Sequence, residues 1–279
     1  MVPNKNILLV IVLYNIKLEE SKSYLTLLAN SEEVNQYCLL VYDNSPRPQA
    51  LSSLPLKVIY VHDSKNSGVS KGYNEGIKYG LKHKFQSVLL LDQDTEFPKG
   101  ALDIYTKYLL KEKEISLFVP ILLSNGAIYS PCRYIISKGF LWKNARPGKF
   151  VCKKKAILNS GTLLRLKSSI LWFDERIKLY FSDFDFFMKF KKTEKYFFVL
   201  PIYANHTLSD IAEKNINAAK FRFRHYSYGA VITAKSAKER LFSGFWVFLR
   251  SIKLSILYKD IAFLTIFYKY YIKQYSADL

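Results

Sequence analysis

The sequence predicts an α/β fold on a largely parallel sheet, and three observations carry that expectation. Short apolar runs alternate with helical segments through the first half: Ile7–Leu13, a helix over Ser21–Leu28, Cys38–Tyr42, Lys57–Val61, a helix over Lys71–Lys82, and Ser87–Leu91. These runs are rich in Val, Ile and Leu without polar alternation, as expected of parallel strands buried on both faces. Each ends in polar residues: Tyr14-Asn15, Asp43-Asn44-Ser45, His62-Asp63 and Asp92-Gln93-Asp94. The carboxyl ends of parallel strands are where ligands gather.

Each element has a local reason. Ile7 to Tyr14 is apolar for only eight residues and lacks a small-residue cleavage pattern, so it reads as a buried strand rather than a leader segment. Ser87–Leu91 is too short for a helix and stops abruptly at two carboxylates. Beyond Pro98 the pattern predicts a helix around Ala101–Leu110, strands near Leu117–Leu123 and Ala156–Leu164, a helix from Ser182 with that serine as N-cap, and a strand over Tyr196–Pro201. Ser124–Lys154, rich in Gly, Pro and Lys, reads as loop. From about Ala234 the composition turns aromatic and basic, which sets the expected division into 1–233 and a helical extension, 234–279. No run approaches the ~20 apolar residues of a membrane-spanning helix.

At 279 residues and nearly half apolar, the chain can bury a substantial core. A net charge of +19 calls for an anionic partner such as a nucleotide, nucleic acid or acidic membrane. Cys38, Cys132 and Cys152 are widely spaced and form no CxxC, which fits a reducing compartment and no zinc or disulfide framework.

The chemistry points to Asp92 and Asp94. Side chains two apart on an extended strand project the same way, and paired oxygens suit Mg²⁺ or Mn²⁺ shared with phosphate. A turn acid beside a helix cap accounts for an isolated Asp-x-Asp just as well. Asn66 to Gly76 reads Asn-Ser-Gly-Val-Ser-Lys-Gly-Tyr-Asn-Glu-Gly and runs into a helix, where glycines and free N–H groups can meet phosphate. It has neither dinucleotide-fingerprint nor P-loop spacing, and helix packing equally explains Gly72 and Gly76.

Taken in order, these segments resemble the signature of family 2 glycosyltransferases. Downstream, Asn159-Ser160-Gly161-Thr162-Leu163-Leu164, Tyr180-Phe181-Ser182-Asp183-Phe184-Asp185, His206-Thr207-Leu208 and Arg224-His225-Tyr226-Ser227-Tyr228 resemble its bacterial rhamnosyltransferase branch. The resemblance spans roughly residues 6 to 230. It implies a GT-A fold, a Rossmann-like mixed sheet flanked by helices. It also implies that Asp43 reads the base, that Tyr14 and Asn15 line the nucleotide pocket, and that Asp92 and Asp94 hold ribose, metal and diphosphate. Asn66, Gly68, Lys71, Asn74, Gln93, Ser160, Gly161 and Arg224 join the donor-binding set, and His206 completes the metal site. The catalytic base is implied in the acidic pair of the Ser182 helix, as Asp183 or Asp185. Capping by these acids is the bland alternative.

The activity implied by the resemblance is an inverting transfer of a sugar, rhamnose in that branch, from a dTDP or UDP donor to a lipid-linked or polysaccharide acceptor of the bacterial surface. The expected place is the cytoplasmic face of the membrane. Leu241–Ile272, with few charges among aromatics, is expected to meet anionic lipid, with burial against the domain or a second subunit as the alternative. No nucleic acid is expected as a partner of the enzyme: it is the weaker reading, because the aromatics sit among aliphatics rather than alternating with Lys and Arg on an exposed sheet. The non-enzyme alternative is a non-catalytic nucleotide-binding module with a basic membrane- or nucleic-acid-binding tail.

Overall fold

The computed structural model describes residues 6–28, 34–135, 137–167, 170–206, 215–275 and 277. Thr207, Leu208 and Ser209 lie outside the described residues.

Strands β1 (Ile7–Leu13), β2 (Cys38–Asp43), β3 (Lys57–His62) and β4 (Ser87–Asp92) form the parallel half of the sheet, in the order β4-β1-β2-β3. Register aligns their polar ends: Leu13 faces Asp43, Asp43 faces His62, and Val12 faces Asp92. After the two-residue β5 (Thr95–Glu96), the sheet continues on the other side of β4 with β12 (Thr162–Arg165), β6 (Leu117–Ser124) and β13 (Tyr196–His206). β12 runs antiparallel between β4 and β6, whereas β13 runs parallel to β6. Alternation along β1 feeds two cores. Ile7, Leu9, Ile11 and Leu13 pack towards helix α2 (Ala101–Lys111), and Leu8, Val10 and Val12 pack towards α1 (Val69–Lys82) and α3 (Ser182–Thr193).

The glycines of the Asn66–Gly76 segment bring α1 onto the sheet. A Cβ on Gly72 would lie 2.7 Å from Val12 Cγ2, and one on Gly76 would lie 2.5 Å from Val10 Cγ2. Both contacts are shorter than any side chain tolerates, so this helix rests on β1 backbone-close.

Three expectations are corrected. The span read as loop between Ser124 and Lys154 contains β7 (Ala127–Ser130), β8 (Cys132–Ile135), β9 (Lys138–Phe140) and β10 (Gly148–Val151). These strands are short, half-exposed, and paired with distant partners that local pattern does not show. β8 and β9 form a separate three-stranded sheet with β11 (Lys155–Ala156). The single strand expected over Ala156–Leu164 breaks at Gly161, whose φ of 75° is left-handed, and only Thr162–Arg165 joins the main sheet. Ser182 lies inside the first turn of α3, and the cap position is Phe181 with φ 72°.

β13 runs five residues past Pro201, to His206. The proline is accommodated where pairing with β6 shifts register between Val199 and Tyr203. Helices α4 (Ile216–Thr233), α5 (Ala237–Tyr258) and α6 (Ala262–Ile266), with a wide turn over Phe267–Ile272, form a third core around Phe223, Val247, Phe263 and Tyr271. At 22 residues, α5 is long and apolar enough to cross a membrane, which amends the expectation that no segment is. Its charges in the most apolar window fall to two or fewer. The three cysteines are buried and unbridged, and burial pushes the Cys132 and Cys152 thiols up to about 12.

Replacing Gly76 by alanine drives a methyl into Val10, which cannot retreat because it is held in the core. We expect a loss of about 1–3 kcal/mol in urea unfolding, without loss of secondary structure.

Candidate active site

The carboxyl rim of the sheet collects the polar ends of β1, β2, β4 and β13. Gln93 joins two of them: its Oε1 accepts from the Tyr14 backbone N–H at 2.7 Å, and its Nε2 donates to the Tyr14 carbonyl at 3.4 Å. Asn15, with φ 54°, donates its backbone N–H to Ser45 Oγ at 2.9 Å, linking β1 to β2. Tyr14 and Asn15 are exposed at the mouth.

Asp43 is fully buried. Its Oδ1 accepts from the Ser45 backbone at 2.9 Å, and its Oδ2 accepts from Gln49 Nε2 at 2.9 Å and the Tyr60 hydroxyl at 2.8 Å. Burial alone would raise this carboxyl, but the hydrogen bonds from Ser45, Gln49 and Tyr60 outweigh it and hold the group below its ordinary range. Asp43 is thus a fixed anion behind the Tyr14–Asn15 mouth.

At the end of β4 two carboxylates face one imidazole. Oxygens of Asp92 and Asp94 and a nitrogen of His206 lie within 4.8 Å of one another, and His206 Nδ1 stands 3.5 Å from Asp94 Oδ1. Asp92 Oδ1 accepts a hydrogen bond from the buried Tyr73 hydroxyl of α1. Asp94 Oδ1 is buried, and among the described residues it has no hydrogen-bond donor. Burial, and after it the charge of Asp92, push the Asp94 carboxyl up to about 6. An orphaned carboxylate oxygen, a second carboxylate and an imidazole converging on one point are a donor set that fits Mg²⁺ or Mn²⁺.

Hydroxyls hold this set in place. Ser160 Oγ accepts from the Asp92 N–H at 3.3 Å and lies 2.7 Å from Thr95 Oγ1, which lies 2.8 Å from His206 Nδ1. Ser23 Oγ donates to the Asp92 and Thr95 carbonyls. Gly161 is pinned beside them, its N–H on the Leu90 carbonyl at 2.8 Å and its own carbonyl on the Tyr105 hydroxyl at 2.6 Å.

The acids of α3 have different surroundings. Asp185 is 1% exposed and ion-paired with Lys189 at 2.7 Å and Lys235 at 3.4 Å, tying α3 to the segment between α4 and α5. Asp183 has no ion pair among the described residues, and its Oδ1 accepts only the Phe184 N–H at 2.8 Å. It keeps some solvent contact although protein surrounds it, as a group at the bottom of a concavity does. Burial first, and among lesser causes the charge of Asp92, push it up to about 7. Asp183 and Asp92 therefore share one field, in which the Tyr73 hydroxyl also sits.

Other residues singled out in the sequence are drawn elsewhere. Asn74 is buried and clamps the Phe173 backbone, its Oδ1 accepting at 2.9 Å and its Nδ2 donating at 3.0 Å, and Lys71 pairs with Glu175 at 3.2 Å. Gly68 fits under Lys178, whose carbonyl would lie 2.4 Å from a Cβ there, and Asn66 makes the preceding left-handed turn. Arg224 stacks over Tyr270 in the third core, 5.3 Å from the ring centroid. Tyr73, Thr95, Ser23, Gln49 and Tyr60 escaped the sequence reading, because their partners lie 6 to 72 positions away. Tyr73 alone had a signal, lying inside the Asn66–Gly76 segment.

No family model matches the chain, and no curated protein matches it. Solved structures do. Residues 1–349 of Staphylococcus aureus TarS in complex with UDP are 16% identical with a TM-score of 0.52, covering 87% of this chain and 71% of that one. The complex with UDP-GlcNAc is 14% identical with a TM-score of 0.53, covering 87% and 72%. A longer TarS structure is 13% identical with a TM-score of 0.52, and this chain spans 55% of its length. At these identities the likeness is one of fold: the chain shares the mixed α/β sheet of the TarS structures, in agreement with the fold class that the resemblance implied.

The two α3 acids should behave oppositely. Asp185→Asn breaks a buried ion pair, and we expect a loss of about 1–3 kcal/mol by denaturant unfolding. Asp183 keeps its proton to about pH 7 when folded, against 3.8 in an unconstrained chain, so stability falls as pH rises between those values. Asp183→Asn removes that penalty. Thermal melts should show it more stable than the parent at pH 8 and equal to it below pH 4.

Proposed function

We propose that this protein is an inverting, metal-dependent glycosyltransferase that moves a sugar from a nucleotide diphosphate to an acceptor hydroxyl. The observation that carries the reading is the meeting of a metal-type donor set, Asp92, Asp94 and His206, with an unpaired, raised carboxyl, Asp183, in one field at the sheet rim. The fold likeness to a protein solved with UDP and UDP-GlcNAc supports a nucleotide sugar as donor.

In this reading Asp43 and the Tyr14–Asn15 mouth receive the nucleoside, and Ser160 and Gly161 line the sugar. A divalent cation held by Asp92, Asp94 and His206 would neutralise the diphosphate as it leaves. Asp183 accepts the proton of the acceptor hydroxyl. The freed oxygen bonds to the anomeric carbon while the carbon–phosphate oxygen bond breaks on the opposite face, inverting that centre. A carboxyl raised to about 7 suits this role, since a base works best near the operating pH. Asp185, neutralised by two lysines, holds α3 in place.

The finer reading draws on the rhamnosyltransferase-like order of residues: a dTDP-rhamnose or UDP-sugar donor, a lipid-linked or polysaccharide acceptor, and a catalytic unit over 1–233. The extension from residue 234 would rest on the cytoplasmic face of a membrane. Leu241, Ile256, Leu257 and Ile261 are 64–79% exposed there, which costs free energy in water and none in lipid.

A panel of UDP- and dTDP-sugars with Mn²⁺ tests the reading. The parent should release nucleoside diphosphate from one of them, and Asp183→Asn should lower that rate by about 10²–10⁴-fold while keeping the thermal shift given by nucleotide and Mn²⁺. Nucleotide stabilisation without turnover on any sugar would make the chain a binding module. An active Asp183→Asn would remove the base assignment.

A further inference from the structure

Away from the rim, the outer face of the small β11-β8-β9 sheet carries cations with no acidic partner. Arg133, Ile135, Val151, Lys153, Lys154 and Lys155 line an open groove of about 490 Å³. None of its four cations forms an ion pair among the described residues. Arg133 and Lys155 are cross-strand partners on the β8–β11 ladder, a placement that destabilises like charges. Burial, and then Arg133, hold the Lys155 amine below its ordinary value. An anion in the groove would relieve this repulsion.

Alternation along β8 separates the groove from the candidate active site. Tyr134 points inward and packs on Phe184, the residue after Asp183, with ring centroids 5.1 Å apart, while Arg133 and Ile135 point outward. On β9, Lys138 and Phe140 oppose Ile135 and Arg133 on that same outward face. The face then continues into α5: Lys138 Nζ lies 3.7 Å from the Trp246 ring centroid, and Ser137 Oγ donates to the Glu239 carbonyl at 3.4 Å. Around the cations, Ile135, Phe140 and Val151 are 38–45% exposed.

We propose that this groove is a headgroup site for an anionic phospholipid, with the phosphate between Arg133, Lys153, Lys154 and Lys155 and the apolar rim facing acyl chains. It extends the membrane contact suggested for α5 and stands apart from the transferase reading. The apolar rim decides for lipid over a soluble phosphate polymer, because a hydrated polyanion gains nothing from exposed Ile, Phe and Val, whereas a bilayer interface takes them in beside the cations.

The test is partitioning of the full chain onto phosphatidylcholine vesicles with and without phosphatidylglycerol. The parent should prefer the phosphatidylglycerol vesicles. Arg133→Gln/Lys155→Gln should lower binding to those vesicles by roughly 10–30-fold and leave phosphatidylcholine binding unchanged. Its melting temperature should equal or exceed the parent's, because a repulsive pair is gone. Lys153→Gln/Lys154→Gln, on an exposed turn, should act in the same direction and guards against a folding defect in the first variant. Lys107→Gln/Lys111→Gln, the same charge change on α2 across the sheet, should have little effect.

Three results would overturn the proposal. The parent could show no preference for phosphatidylglycerol. The α2 variant could lose as much binding as the groove variants, leaving only net charge. The groove variants could lose affinity for linear polyphosphate while binding vesicles as before, which would assign the groove to a soluble phosphate polymer. The thermal shift given by UDP and Mn²⁺, read on the same samples, reports the donor site separately, so either reading can fail alone.

Discussion

The rest of this structure depends on two carboxylates held close together at the end of a buried strand, with no lysine or arginine paired to either among the described residues. Asp92 and Asp94 repel, and Asp94 answers by keeping its proton towards pH 6 rather than by finding a donor. A fold indifferent to that pair would have turned one side chain out to water. Here hydroxyls from Ser23, Thr95 and Ser160 fix the backbone around both acids, and β13 is carried past a proline bulge to deliver His206. The repulsion is a cost that a divalent cation held by these residues would convert into affinity.

The sheet turns this local arrangement into a site. Parallel register brings the ends of β1, β2 and β4 to one level, and Gln93 and Ser45 cross-link them. Close seating of α1 on β1 through Gly72 and Gly76 brings Tyr73 to Asp92. On the same face of the sheet α3 presents Asp183 to that field, and Asp185 anchors the helix through Lys189 and Lys235. Two acids two residues apart on one helix thus divide into a carboxyl with no ion pair and a structural one, because among the described residues lysines reach only Asp185.

Much of this was legible in the sequence. Strands β1, β2 and β4 follow from buried apolar runs ending in polar residues, since that pattern is local and period-independent when both faces are covered, and the half-buried β3 follows from its apolar run. Asp92, Asp94 and His206 were grouped from resemblance and do meet in space. Strands β7 to β10 were not legible, because a four-residue strand takes its identity from a partner dozens of residues away. For the same reason the Tyr60–Gln49 clamp on Asp43 carries no sequence signal. The Asn66–Gly76 segment was legible as important, yet its glycines seat a helix and its Asn74 clamps the Phe173 segment.

Manganese titration followed by the electron paramagnetic resonance signal of the free ion, with and without UDP, addresses the central claim most directly. We expect a single tight site, tighter with UDP, whose affinity falls about tenfold or more in both Asp94→Asn and His206→Ala. Manganese binding unchanged in both variants, or no binding by the parent with UDP present, would contradict it.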